Sequence, residues 1–337
     1  MAKTLGVYTY VVRGVEYDMP FVEMIRSVVP IADEIVILTD STFEDGTIKE
    51  LRQLEEEIPR LKVIIEKFDW CNPGIDGISK ATARSACTSD ILMQMDADEI
   101  VREKDYGKIE FLKNNWPDDT IMISTGVVNW FNGYFLNLDA AGWVKERLSL
   151  NSENITHGIP RQLRIPVDGT DYYKVQPFKS DGAGYITKDG RPIYASMALC
   201  GRDQKKIFRD INNPQYIYIH HCSYTSLPRK WEMKNAWHYM WGILNGKYTC
   251  PEDYTINEDN EPVNFFAPKD TKPPASYIQP ITDEMQKKRL VKCKNVKYPK
   301  AVQGWVDKQR IYVPKDIRKF RFSEFQQNMK AEVFKMG

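Results

Sequence analysis

Residues 91–100 read ILMQMDADEI, an apolar run closed by three acidic residues, Asp96, Asp98 and Glu99. Carboxylates at the end of a buried strand are costly unless something pairs with them. The segments on either side say what sheet this run enters. LGVYTYVV (5–12) and DEIVILTD (33–40) read as strands, and PFVEMIRSVVPIA (20–32) between them has apolar positions at helical spacing. IKELRQLEEEIP (48–59) is a charged amphipathic helix stopped by Pro59, and LKVIIEKFDW (61–70) is a third strand. GISKATARSACTS (77–89) is a further helix, so residues 91–100 form the fourth strand. YGKIEFLKNNWP (106–117) and TIMISTGVV (120–128) add one more helix and strand. Strand and helix alternate with short links, which predicts an α/β fold with helices flanking a mostly parallel, Rossmann-type sheet.

In such folds ligands gather beyond the carboxyl ends of the strands. Asp40, Asp69 and the pair Asp96 and Asp98 stand at three of these ends. Each has a plain alternative: Asp40 as a turn or helix cap, Asp69 as a solvated strand end, Asp96 and Asp98 as turn residues. In an extended chain, residues two apart share a side. Asp96 and Asp98, separated only by Ala97, would then aim two hard oxygen ligands at one divalent cation. The EF-hand cadence is missing, and Cys and His are too remote in sequence for a zinc knuckle. Neither GxxxxGK[ST] nor a GxGxxG after the first strand occurs, so a P-loop NTPase or an ordinary dinucleotide-binding dehydrogenase fits poorly.

The stretches PFVEMIRSVVPIADEIVILTDSTFEDGT (20–47) and GISKATARSACTSDILMQMDADEI (77–100) together resemble the GT-A fold glycosyltransferases of family 2. The shared order is helix, strand ending in Asp, acidic-Gly-Thr turn, a helix bearing Lys and Arg, and a strand ending in DxD, here in the DADE form of a bacterial branch. The resemblance covers residues 4–125, thins over 126–245 and stops before 250. It implies transfer of a sugar from a nucleotide diphosphate sugar, UDP- or GDP-linked, usually with inversion and with Mn²⁺ or Mg²⁺. It also implies roles: Asp40 and Asp69 at the nucleobase or ribose, Asp45-Gly46-Thr47 as the turn opening the next helix, and Lys80 and Arg84 near the base or diphosphate. Asp98 would bind the metal; Asp96 would bind it directly or through water, or hold the donor ribose. This chain departs from the pattern by residues inserted between Asp40 and the Asp45-Gly46-Thr47 turn. Lys80 and Arg84 are four apart and share a helix face, which is equally the mark of a solvated face.

YIYIHHCSYTSLPRKWEMKNAWHYMW (216–241) runs from an aromatic strand into an amphipathic segment. Adjacent strand residues face opposite sides, so only one of His220 and His221 can reach a site. His221, at the strand end, is the expected third metal ligand and His220 the packed one. Either could equally be a satisfied core histidine. Arg229 and Lys230 could meet the diphosphate or be ordinary turn charges. Trp130 and Trp143 suit either a core or a sugar face. An inverting transfer needs a carboxylate to take the acceptor proton. Asp181, beside Gly182-Ala183-Gly184, is the candidate, with Asp171 and Asp168 competing.

The expected organisation is a nucleotide-sugar half (1–125), an acceptor and metal half of the same domain (126–250), and a C-terminal extension (251–337) that wraps the surface or binds a partner. The 337 residues carry net charge +1, which gives no global signal for nucleic acid or an anionic membrane. No stretch approaches the ~20 apolar residues that span a bilayer, and MAKTLGVYTYVV reads as a first strand, not a signal peptide. The six widely spaced cysteines suggest free thiols in a reducing compartment, hence a cytoplasmic protein whose basic tail could contact a membrane or another protein peripherally. Two other functions remain: a sugar-phosphate nucleotidyltransferase, disfavoured by the lack of a Gly-rich loop after the first strand, and a non-catalytic nucleotide-sugar or glycan-binding module.

Overall fold

The computed structural model describes residues 2–68, 75–131, 133, 135–137, 144–152, 155–157, 164–166, 173–175, 185–187, 192–193, 197–200, 211–226, 290–292 and 296–309. The first half follows the alternation of the sequence. Strands β1 (Leu5–Tyr10), β2 (Glu34–Asp40), β3 (Leu61–Glu66) and β4 (Ile91–Gln94) pair in parallel in the order β3-β2-β1-β4. β1, β2 and β4 are buried almost throughout, as strands covered on both faces are, while Ile64 and Ile65 of the edge strand β3 are half-buried. Helix α1 (Phe21–Val28) buries Phe21, Met24, Ile25 and Val28, the i, i+3, i+4, i+7 stripe. Helix α2 (Thr47–Glu57) buries Leu51 and Leu54, and α3 (Ile75–Ser85) buries Ile75, Lys80, Ala83 and Arg84.

After β4 the chain turns, forms β5 (Glu99–Val101) and helix α4 (Tyr106–Asn114), and enters β6 (Met122–Phe131), whose ten residues are all buried. Here the mostly parallel expectation is corrected. The chain leaves β6 through β7 (Phe135–Asn137) and returns as β8 (Val144–Leu150). β8 lies antiparallel between β4 and β6. β9 (Met197–Leu199) and β10 (Tyr218–Tyr224) line the other edge of β6 in parallel, while β5 joins β10 and β11 (Leu290–Lys292) joins β7 antiparallel. The sheet is therefore mixed. A strand that returns directly alongside its predecessor must run antiparallel, and that return inserts β8 between two strands of the same sense.

Residues 296–309 pack back on the first half. Helix α5 (Lys300–Lys308) buries Val302, Trp305 and Val306. Trp305 Nε1 donates to the Asp18 carbonyl at 3.1 Å, and Gln309 Nε2 donates to Asp18 Oδ2 at 2.7 Å. Tyr298 stacks on buried Trp130, with centroids 3.8 Å apart, and donates to the Gly133 carbonyl at 2.7 Å.

Candidate functional site

The turn after β4 is the centre of the site. The Glu99 N–H donates to the Asp96 carbonyl at 3.0 Å, closing a four-residue turn. Asp96 and Asp98 therefore do not lie on an extended strand, and the rule that residues two apart share a side does not govern them. The two carboxylates meet different partners.

Asp96 faces cations. Arg147 Nη2 lies 2.8 Å from its Oδ2, Lys145 Nζ 3.3 Å from the same oxygen, and Lys80 Nζ 3.5 Å from Oδ1. Gln94 Nε2 donates to Oδ1 at 3.1 Å. Glu99, fully buried, accepts from the Asp96 N–H at 3.0 Å and pairs with Lys145 at 3.1 Å and with Arg147. Arg147 is fully buried and also donates to Gln94. Burial opposes its charge, but Glu99 and then Asp96 outweigh that and raise its pKa further. Arg147 reaches this place through a shift of register. Leu148 opposes Ile123 and Glu146 opposes Ser124 on β6, so Arg147 is the extra residue of a β-bulge. On α3, Lys80 also pairs with Asp76 at 3.1 Å, and Tyr10 donates to Asp76 Oδ1 at 2.8 Å. Burial works against the Lys80 ammonium, yet Asp76 and Asp96 hold its pKa above the usual value. Tyr10 is pushed up strongly, first by burial and then by Asp76.

Asp98 faces β10. Pairing of β5 with β10 sets His221 opposite Glu99, and the Cys222 N–H donates to the Asp98 carbonyl at 2.8 Å. His221 Nε2 then lies 3.5 Å from Asp98 Oδ1. On the other side of its ring, His221 Nδ1 is 2.7 Å from Asn129 Oδ1 of β6. His220 points into the core, where its Nδ1 accepts from Trp130 Nε1 at 2.9 Å. Burial, assisted by Arg102, drives its pKa well below the ordinary imidazole value.

The other expected residues are placed as follows. Asp40 is buried, and its Oδ1 accepts from the Thr42 N–H (3.0 Å), the Thr42 hydroxyl (2.8 Å) and the Phe68 N–H (3.1 Å). Gly46, at φ +94°, opens α2. Asp45 accepts from the Thr47 hydroxyl at 2.6 Å and the Glu16 N–H at 3.1 Å, so this turn also holds the loop after β1. Arg84 donates to Tyr8 (3.3 Å), Ser149 (3.1 Å) and the Leu150 carbonyl (2.8 Å), binding α3 to β8. Asp69, Trp143, Asp168, Asp171, Asp181, Arg229 and Lys230 lie outside the described residues.

Sequence reading missed Lys145, Arg147, Gln94, Asp76, Tyr10 and Asn129. One signal was available: in VKERLSL, Lys145, Arg147 and Ser149 recur with period two, the pattern of one strand face. Among the described residues no group of three or more His, Cys, Asp and Glu could hold a metal ion. Asp98 and His221 form a pair. A carboxylate oxygen and a ring nitrogen facing each other are a fitting partial donor set for Mn²⁺, with a ligand's oxygens and water left to complete it.

No protein-family model matches the chain, and no match was found among curated proteins. Among solved structures, the chain is similar to S. aureus TarS 1–349 in complex with UDP-GlcNAc, with TM-score 0.30 and 16% identity over 37% of this chain and 35% of that one. It is similar to S. aureus TarS 1–349, with TM-score 0.32 and 12% identity over 44% of this chain and 48% of that one. It is also similar to the mannosyltransferase PcManGT from Pyrobaculum calidifontis in complex with GDP-Man and Mn²⁺, with TM-score 0.30 and 17% identity over 39% of this chain and 36% of that one. The matched part spans less than half of each of these chains, and likenesses this distant carry no function across.

Proposed function

We propose that this chain is a metal-dependent, inverting glycosyltransferase that moves a sugar from a UDP- or GDP-sugar to the hydroxyl of a glycan or another acceptor. The observation that carries the reading is the meeting of Lys80, Lys145 and Arg147 with Asp96, in the same turn whose Asp98 faces His221, beyond the ends of β1 and β4. Partly exposed Lys145 and buried Lys80 would face the donor diphosphate, where negative charge grows as the bond to the anomeric carbon breaks. Arg147 would hold the turn and not touch the donor. Asp40 and Asp69 would border the nucleobase, with Arg84 supporting α3 behind them.

Asp98 and His221 would hold Mn²⁺ or Mg²⁺, with Asp96 contributing directly, through water or through the ribose. When bound, the metal supplies positive charge at the leaving diphosphate. Asp181, or else Asp171 or Asp168, would take the proton of the attacking hydroxyl. Cys87, a free and buried thiol, suits a reducing compartment such as the cytoplasm. Residues 251–337 would serve partner or peripheral membrane contacts beyond the part packed on the core.

Turnover of UDP- and GDP-sugars with product NMR tests this reading. Asp98→Ala should abolish metal-stimulated turnover in a folded protein. Asp181→Asn should lower kcat with little change in donor affinity. Retention at the anomeric carbon, or full activity of the Asp98→Ala enzyme in excess EDTA, would overturn it.

A further inference from the structure

We propose that Asn129 is a positioning residue that fixes the tautomer of His221, leaving the bare Nε2 of that ring turned toward Asp98. The proposal rests on the reading of Asp98 and His221 as metal ligands, and it concerns the metal-free protein. Asn129 and His221 are register partners on parallel β6 and β10, so the backbone holds the two side chains side by side. Asn129 is only 4% exposed, and its Oδ1 lies 2.7 Å from His221 Nδ1.

In the orientation the amide has here, its oxygen faces Nδ1 and can only accept, which places the ring proton on Nδ1. A neutral imidazole has one such proton, and Nε2 is left with its lone pair 3.5 Å from Asp98 Oδ1. Two electron-pair donors facing each other in a partly buried place repel. A divalent cation between them removes the repulsion, whereas the opposite tautomer would fill the gap with a proton and oppose the metal. The adjacent histidine is an internal contrast. His220 Nδ1 accepts from Trp130, so its proton sits on Nε2. Two neighbouring rings thus carry opposite tautomers because one meets an acceptor and the other a donor.

Two-bond ¹H–¹⁵N correlation NMR of the metal-free protein, labelled at its four histidines, reads the tautomer of each neutral ring. Wild type should show Nδ1–H for His221 and Nε2–H for His220. Asn129→Leu should move His221 to Nε2–H and weaken Mn²⁺ binding, followed by EPR of the free ion, by about 10–100-fold. Asn129→Asp keeps an acceptor and should keep Nδ1–H. An Nε2–H His221 in wild type, or an Asn129→Leu protein that retains Nδ1–H, overturns the proposal. Wild-type protein with Nδ1–H that binds no Mn²⁺ supports the tautomer assignment and sinks the metal reading instead.

Discussion

Arg147 sits fully buried among Gln94, Asp96 and Glu99, so removing it takes from buried Glu99 one of its two cations and leaves it Lys145 alone. Breaking such a pair on one side costs about 3–5 kcal/mol. Arg147→Met should lose stability on that scale in urea denaturation, and Arg147→Met with Glu99→Gln should lose less than the single variant, since both charges leave together. A double variant no more stable than the single one would refute this account of the turn. His220 carries a pH prediction. Burial lowers its pKa in the folded state. The unfolded chain therefore binds a proton near the ordinary value of about 6.5, where the folded chain does not. The contribution of neutral His220 is complete above about pH 6.5 and is lost as pH falls from there toward the folded pKa. His220→Asn keeps an acceptor for Trp130 without titrating, so its Tm should fall less steeply than wild type from about pH 7 to about pH 5. Parallel slopes would remove His220 from that balance. At this scale the sequence pointed to Asp96 and Asp98 because acids behind an apolar run demand partners. It did not reveal those partners, because Lys145 and Arg147 lie some fifty residues away and meet the turn only through β8.

The elements most legible in the sequence are β1 to β3 with α1 and α2, where buried strands and amphipathic helices alternate and pair with near neighbours. β8 was hidden, since its insertion between β4 and β6 follows from long-range pairing and a bulge that no local periodicity encodes. The turn of Asp96 to Glu99 was also hidden, because DADE reads as a continued strand until the Glu99 N–H is seen to return to Asp96. Two elements can be tested directly. Gly46 opens α2 at φ +94°, so Gly46→Ala should cost about 1–2 kcal/mol even though nothing but Val15 lies near its missing Cβ. An unchanged midpoint in denaturant would show that the backbone there relaxes. α5 rests on Trp305, whose ring is buried and whose N–H holds the Asp18 carbonyl. Trp305→Ala should cost about 3–5 kcal/mol, while Gln309→Ala, which removes one hydrogen bond, should cost about 0.5–1.5 kcal/mol. Equal effects of the two would contradict the view that α5 is held mainly by apolar burial.

For the whole molecule, the mixed sheet sets the site beyond the ends of β1 and β4, with β8 supplying cations and β10 supplying His221. No helix among the described residues is long and apolar enough to cross a membrane. The proposed reaction needs a nucleoside diphosphate and a divalent cation to bind together, the cations of α3 and β8 taking the phosphates while Asp98 and His221 take the metal. Calorimetric titration of UDP and of GDP into wild-type and Asp98→Ala protein, each with and without Mn²⁺, tests that joint binding. The account predicts that one of the two nucleotides binds wild type far more tightly with Mn²⁺ present and that Asp98→Ala loses this metal-dependent gain while remaining folded. Wild-type protein that binds neither nucleotide with Mn²⁺, or an Asp98→Ala variant with the full metal-dependent gain, would contradict it.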